Sequence, residues 1–452
     1  MRARRVAVIG GGLAGLAAAL ECAEAGAEVS LFEARSRLGG ATFSVERNGY
    51  WLDNGQHVAL RCCTEYLAFL RRLGVENLVD LQPRLRIPVL AGGGRRATLT
   101  RSSLPAPLHL AGTLLRYSHL SLAERLAAGR ATASLRRLDP DDPALDEQTF
   151  GGWLRAHGQS ERAIDALWNL IVLPALNLSA DDASLALATK VFRTGLLDAA
   201  DGGDVAVPRV PLQRLHAAAA KEALERLGAR VSASAPIRSV EPQADGYVLR
   251  GDDLVEPAEA VVVAVPHDDA PGVLPPGLLD ESRIAGLGAS PIVNLHLHFD
   301  RRVLEEPFAA AVGSPVQWLF DRTGPSGVEE GQLVAISLSD AGVELGASQA
   351  ELRERYLAAL TALLPEVRSA TLLDFAVTRQ PNATFRAVPG TRRLRPGPQT
   401  ALPGLYLAGA WTDTGWPATM EGAVRSGLAA ARLALHDRRG ESRAELALET
   451  VA

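Results

Sequence analysis

The chain has 452 residues, 47% apolar and 22% charged, the balance of an ordinary folded protein with room for two or three domains. A formal net charge of −5 gives no reason to expect nucleic acid, and no run supplies the ~20 uninterrupted apolar residues of a transmembrane helix. A cytoplasmic protein is expected, with any membrane contact peripheral.

Arg2, Arg4 and Arg5 before an apolar run resemble the start of a signal peptide, but Gly10 to Gly15 interrupt that run at a spacing with another meaning. Val6 to Ile9 reads as a strand, Leu13 to Ala25 as an alanine-rich helix ended by Gly26, and Glu28 to Phe32 as a second strand. This is a βαβ opening with a parallel sheet. Residues 76–204 are dominated by Leu-, Ala- and Arg-rich helical patterns broken by Pro105, Pro107, Pro140, Pro143 and Pro174. Within them Gly92-Gly93-Gly94 reads as a hairpin turn, since no helix pattern follows it as a phosphate loop would require. Leu104 to Leu126, with Arg116, His119 and Arg125, reads either as an amphipathic membrane-facing surface or as a helical lid buried on its own domain.

Beyond residue 205 a helix is expected at Leu212 to Leu227, then strands at Arg230 to Ser232, Ile237 to Glu241, Gly246 to Arg250 and Ala260 to Val265. The last is continuously apolar, as a strand buried on both faces should be. Pro291 to Phe299 and Gln332 to Leu338 alternate and predict a half-exposed antiparallel sheet. Leu405 to Gly409 is another buried strand and Met420 to Leu435 a final helix. The domain boundaries drawn from this pattern are 1–75, 205–270 and 385–440 for one domain and 76–204 with 271–384 for another, leaving 441–452 as a charged tail. Cys22, Cys62 and Cys63 form no C-x-x-C, so reduced thiols are expected and neither a metal site nor a redox pair is.

Gly10-Gly11-Gly12-Leu13-Ala14-Gly15 contains G-x-G-x-x-G after a strand and at the opening of a helix, with Glu33 eighteen residues beyond Gly15. Gly10 permits the tight turn, Gly12 lets backbone approach a diphosphate, and Gly15 lets helix pack on strand. Leu13 and Ala14 begin the helix whose N-terminal amides face that diphosphate, and Glu33 accepts from the ribose. NAD and FAD share the fingerprint. The extension Glu33-Ala34-Arg35-Ser36-Arg37-Leu38-Gly39-Gly40 favours FAD, with Arg35 or Arg37 near phosphate and Gly39-Gly40 admitting the ribityl chain; both arginines also suit a solvated surface. Further FAD contacts are expected from Ala41, Gly55, Gln56 and Val231. At the other end a strand closes at Gly409, a loop carries Trp411 and Trp416, and a helix opens at Thr419-Met420. Its amides are placed to stabilise negative charge on the N1–C2=O edge of a reduced flavin.

The fingerprint with Leu38-Gly39-Gly40, paired with Glu421-Gly422-Ala423-x-x-Ser426-Gly427, resembles the flavin amine oxidase and phytoene desaturase superfamily. Leu52-Asp53-Asn54-Gly55-Gln56-His57 and Trp411-Thr-Asp-Thr-Gly-Trp-Pro-Ala-Thr-Met-Glu421 resemble its squalene-associated branch, the hydroxysqualene dehydroxylases. Pro291-Ile-Val-Asn-Leu-His-Leu297 and Ser314-Pro-Val-Gln-Trp318 agree with that branch. The resemblance implies an α/β fold with a Rossmann-like, glutathione-reductase-like FAD domain and a mixed α+β substrate domain. It implies non-covalent FAD and reduction of hydroxysqualene to squalene in bacterial squalene and hopanoid supply. It further implies a long apolar isoprenoid substrate and association with other squalene-pathway enzymes.

A general acid would be needed, and His57 and Asp413 are the candidates, His57 serving equally as a structural residue. Trp153, Trp168 and Phe192 suit a substrate tunnel or plain core packing. Departures from the superfamily pattern are Ala41 where amine oxidases usually carry Arg, and Ala410 where many relatives carry an acid, with Asp413 a conjectural substitute at the ribityl chain. No lysine follows Lys221, so the strand around Asn294 lacks the flavin-facing lysine of many amine oxidases. A carotenoid desaturase-like oxidase, an amine oxidase and a prenyl-protein escort of the GDP-dissociation-inhibitor type are the competing readings.

Overall fold

The computed structural model describes residues 3–436; the expected charged tail and residues 437–440 lie outside the described residues. The opening strand Arg5–Ile9 is the centre of a five-stranded parallel sheet. Across that sheet the order is Arg230–Ser232, Glu28–Phe32, Arg5–Ile9, Ala260–Val263 and Leu405–Leu407. Val8, Val261, Val262 and Leu405 have no exposed surface. Full burial of such side chains contributes roughly 1.5–3 kcal/mol each, which is why the strands carry unbroken apolar runs.

The helix Leu13–Glu24 follows the first strand and is buried along ten of its residues. Gly26, in the left-handed region at φ +82°, ends it. Its N–H reaches Ala23 O at 3.0 Å and the Ala27 N–H reaches Cys22 O at 3.0 Å, the paired bonds of a Schellman stop. Small residues let this helix lie against Met420–His436, the last described helix.

The second sheet has seven strands, in the order Leu372–Thr384, Ser290–Phe299, Gln332–Ser339, Trp318–Asp321, Phe308–Val312, Arg86–Ala91 and Arg95–Thr100. Neighbours run antiparallel except Phe308–Val312 beside Arg86–Ala91. The Gly92-Gly93-Gly94 hairpin turn joins the last two strands. The expected half-exposed character of Ser290–Phe299 and Gln332–Ser339 is not found. The apolar face of Val293, Leu295 and Leu297 packs under the helix Gln349–Leu363. The polar face is covered too, leaving Asn294 and His296 at 0% and 2% exposure. Alternation correctly separated the two faces but carried no information on what lies over the polar one.

Phe150, Trp153, Trp168 and Phe192 form one aromatic cluster, with ring centroids 5.2 Å apart for Trp168 and Phe192. The Trp168 indole N–H donates to Gln159 Oε1 at 2.9 Å, and Trp168 and Phe192 retain only 2% and 3% exposure. These residues are core, not tunnel wall, because their faces are taken up by one another.

Candidate functional site

Where the first strand turns into the first helix, Gly10 adopts φ +105°, and a methyl group on it would meet Ala264 O at 2.5 Å. Gly12 is the N-cap and offers no side chain to the helix, and the first turn holds no acid. The amides at this end of Leu13–Glu24 are therefore open to an anion, with the helix dipole behind them. The Gly39 N–H donates to Gly11 O at 2.8 Å, and a methyl on Gly40 would lie 2.7 Å from Gly12 Cα. The paired glycines thus rest directly on the fingerprint turn, forming a shelf of bare backbone.

Glu33 ends the second strand at 8% exposure. Its Oε2 accepts from the Gly11 N–H at 2.7 Å and its Oε1 from the Arg35 N–H at 2.8 Å, fixing the carboxylate while leaving lone pairs for a ribose hydroxyl. Ala34 and Arg35 are exposed. Arg37 lies with its guanidinium 3.7 Å from the Phe43 ring centroid, and its buried Nε has no protein partner. Burial, reinforced by Arg35, pulls its pKa below the usual guanidinium value. Val231 sits on the edge strand beside Leu31, and Ala41 is exposed, with its carbonyl accepting from Asn54 Nδ2 at 2.8 Å.

The string from Leu52 to His57 lies against the seven-stranded sheet. Asp53 is 5% exposed, ion-paired with buried Arg322 at 2.8 Å, and accepts from Ser44 Oγ and the Leu212 N–H. Asn54 O accepts from Asn294 Nδ2 at 3.2 Å and from Thr378 Oγ1 at 3.0 Å. Two buried atoms nearby have no protein partner: the donor Gln56 Nε2 and the acceptor Asn294 Oδ1. Leaving such groups unpaired is costly, so each calls for a partner from outside the protein, water or ligand.

His57 Nδ1 lies 3.1 Å from Gly55 O, and a carbonyl only accepts, so Nδ1 carries the proton. Burial lowers the pKa of this imidazole, leaving it neutral with Nε2 as an acceptor.

The C-terminal segment closes the site. The Gly409 N–H donates to Ser426 Oγ at 2.8 Å, and that hydroxyl donates to Ala423 O. Thr419 Oγ1 caps the final helix by accepting from the Gly422 N–H at 3.1 Å, with Met420 its first residue. Trp411 anchors the loop through its indole N–H to Val265 O at 2.9 Å. Trp416 lies between the cations of Lys190 and Arg425, at 5.6 and 5.1 Å from its ring centroid. Asp413 Oδ1 accepts from the Gly415 N–H at 3.1 Å and Oδ2 lies 4.0 Å from Arg392, with a third of the side chain exposed.

Several residues that build this site escaped sequence reasoning. Arg395, 3% exposed, donates to the carbonyls of Ala410, Trp411 and Thr412 and so shapes the loop; burial pulls its pKa down to about 10. A buried relay runs from Tyr66 OH to His216 Nε2 at 2.8 Å, from His216 Nδ1 to Thr42 Oγ1 at 3.0 Å, and from Thr42 to Gly39 O at 2.9 Å. The carbonyl at its end makes Thr42 its donor and His216 Nδ1 the donor to Thr42; burial pushes the imidazole down to about 3 and so keeps it neutral, with Nε2 accepting from Tyr66. No motif announces these residues, since each acts on a partner distant in sequence.

FAD fits what is present: an open helix N-terminus, a glycine shelf, a fixed carboxylate, a buried unpaired Arg37 Nε, and unpaired polar atoms at Gln56 and Asn294.

A family model described as flavin containing amine oxidoreductase matches residues 13–435. A hydroxysqualene dehydroxylase from Sinorhizobium fredii is 31% identical over 96% of this chain and 99% of its own. A zeta-carotene desaturase from a Synechocystis species is 26% identical, over 95% of this chain and 97% of its own. Among solved structures, an oxidoreductase from Methanosarcina mazei superposes with a TM-score of 0.73 at 17% identity, covering 94% of this chain and 99% of that one.

Proposed function

This chain belongs to the flavin containing amine oxidoreductases and is an FAD-dependent oxidoreductase, and from that premise we propose that it reduces hydroxysqualene to squalene. The observation that carries the reading is the 31% identity along nearly the whole chain to a protein named for that reaction, against 26% to the desaturase.

Reduced FAD supplies a hydride when bound. The allylic C–O bond breaks, the hydroxyl takes a proton and departs as water, and a C–H bond forms at that carbon. The residues of the chain then have three tasks. The Nε2 lone pair of His57 orients the hydroxyl, while Gln56 and Asn294 serve the cofactor. Asp413, a third exposed and beside Arg392, provides the acid. His57 is the poorer donor, because its one proton is held at Gly55 O.

Substrate hydrocarbon is held along the partly exposed apolar side chains beside the His57 loop, Val58, Leu60, Leu196 and Trp318.

The test is anaerobic incubation of the FAD-loaded, pre-reduced protein with hydroxysqualene, and of the oxidised protein with phytoene, followed by identification of the lipid product. Squalene from the first supports the proposal. Desaturated product from the second, with hydroxysqualene untouched, assigns the desaturase reaction instead.

A further inference from the structure

Exposed hydrocarbon and unbalanced positive charge coincide on one part of the surface. Residues 82–135 carry eight arginines and a single acid, Glu124, in a chain whose formal charge is −5. In the same stretch Leu104, Leu108, Leu115, Leu122 and Leu126 are 50–62% exposed, five of the eleven exposed large apolar side chains among the described residues. Arg86 and Arg101 are engaged by Glu306 and Asp204, while Arg84, Arg95, Arg96, Arg116 and Arg130 remain exposed.

Hydrogen bonds hold the elements that carry these residues together. The Arg125 guanidinium donates to Leu115 O at 2.7 Å, joining the helices Ala111–Arg116 and Leu122–Leu135. Thr113 Oγ1 accepts from the Thr100 N–H and donates to Thr98 O, both at 3.0 Å, fastening the first helix to the strand Arg95–Thr100. Arg84 reaches Ser103 Oγ at 3.1 Å, beside Leu104. Behind this surface Leu110 packs with Leu85, Leu196 and Val58, so apolar contact continues inward to the His57 loop.

We propose that this surface docks on an anionic phospholipid bilayer, with the leucines entering the acyl boundary and the arginines meeting headgroup phosphates. The layer behind it then serves as the route by which long hydrocarbon substrate passes from bilayer to site. The docking stands on charge and exposure alone; the route rests on the proposed function. Arginines among protruding leucines suit a lipid interface, where both find partners. Nucleic acid would use the charge and leave the leucines in water. Among the described residues no helix is long and apolar enough to cross a membrane, so the attachment is a seat on one leaflet.

The test uses the FAD-loaded full chain and vesicle flotation. Vesicles are phosphatidylcholine alone, or phosphatidylcholine mixed with phosphatidylglycerol. The wild type is expected to bind the mixed vesicles at least tenfold better than the neutral ones, with binding falling as salt is raised. Leu108→Asp with Leu115→Asp should lower binding at least tenfold at unchanged FAD content. Arg96→Ala with Arg116→Ala should lower binding to the mixed vesicles only, and keeps the test decisive if the leucine pair disturbs the fold. With substrate in vesicles the leucine variant should turn over more slowly, yet match the wild type with substrate in detergent micelles. Absence of wild-type binding, or equal binding by both variants, overturns the docking. Self-association lost in the same variants without vesicle binding assigns the surface to a second copy and overturns it too. Good vesicle binding with no turnover in either medium refutes the reaction and leaves the docking intact.

Discussion

A methyl group on Gly427 would stand 2.1 Å from the carbonyl oxygen of Ala14, so the final helix touches the first through bare backbone. Ala14 lies in the first turn of the helix proposed to face the diphosphate, and Gly427 lies seven residues, about two turns, beyond Met420 at the end proposed to face the flavin. The contact sets the spacing between the two halves of one cofactor site. Gly427→Ala should force the helices apart, costing roughly 1–3 kcal/mol by overpacking and lowering FAD retention with it. Gly346→Ala, where nothing lies within 4 Å, is the control and should leave both unchanged. Thermal unfolding and FAD content of the two variants check this; equal behaviour would contradict it.

Glu33 is held by the amides of Gly11 and Arg35 before any ligand arrives. Glu33→Ala removes the ribose acceptor and strands a buried Gly11 N–H, each charge-assisted bond being worth roughly 1.5–3 kcal/mol. FAD affinity should fall at least tenfold with substrate preference unchanged, as read by fluorescence titration of the apoprotein. Unchanged affinity would place the ribose elsewhere.

Glu421, with no exposed surface, accepts from the backbone amides of Glu65 and Tyr66 and pairs with Arg425 at 2.7 Å. It caps the helix Thr64–Arg72 from the far end of the chain. Glu421→Ala should destabilise the protein by roughly 1–3 kcal/mol, and Glu421→Gln, which keeps one acceptor, by less. Denaturant unfolding ranks the two; a more damaging glutamine variant would reject the capping role.

Burial pushes His216 down to about 3 and His296 down to about 4, from an ordinary 6.5. Below pH 6.5 the unfolded chain takes protons at both positions that the folded chain refuses. Their contribution to stability is therefore complete above that pH and is lost progressively as pH falls toward the folded values, at roughly 1.4 kcal/mol per pH unit for each group. His216→Gln should flatten the dependence of Tm on pH by one group's share between pH 6 and 4. An unaltered slope would show that His216 titrates normally.

The opening βαβ unit was legible because Gly10, Gly15, Gly39 and Gly40 are demanded by local sterics, which a sequence displays directly. The string from Trp411 to Gly427 was legible as a pattern, but not the work of its members. Glu421 acts 356 residues away from Glu65, and Arg395 acts on carbonyls, which have no sequence signature. Trp153, Trp168 and Phe192 suit a tunnel by composition, and only their mutual packing reveals them as core. For Leu104 to Leu126, composition left membrane surface and buried lid equally open; five of its leucines are exposed, so the segment is not wholly buried.

Asp413 faces both Arg392 and the Gly415 amide, so its substitution separates chemistry from cofactor holding. If it is the acid, Asp413→Asn should keep FAD and slow the reaction by the ~10²–10⁴ typical of losing a general acid. Loss of FAD before loss of rate would give it the ribityl chain instead. Equilibrium FAD content beside single-turnover rate decides.

The most direct test of the account is the direction in which flavin electrons flow. Dithionite-reduced, FAD-loaded protein is mixed anaerobically with hydroxysqualene, and flavin absorbance and lipid product are followed together. The account predicts reoxidation of the flavin without oxygen, with squalene formed in equal amount. A flavin that stays reduced with hydroxysqualene, while oxidised protein is bleached by phytoene or an amine, would contradict it.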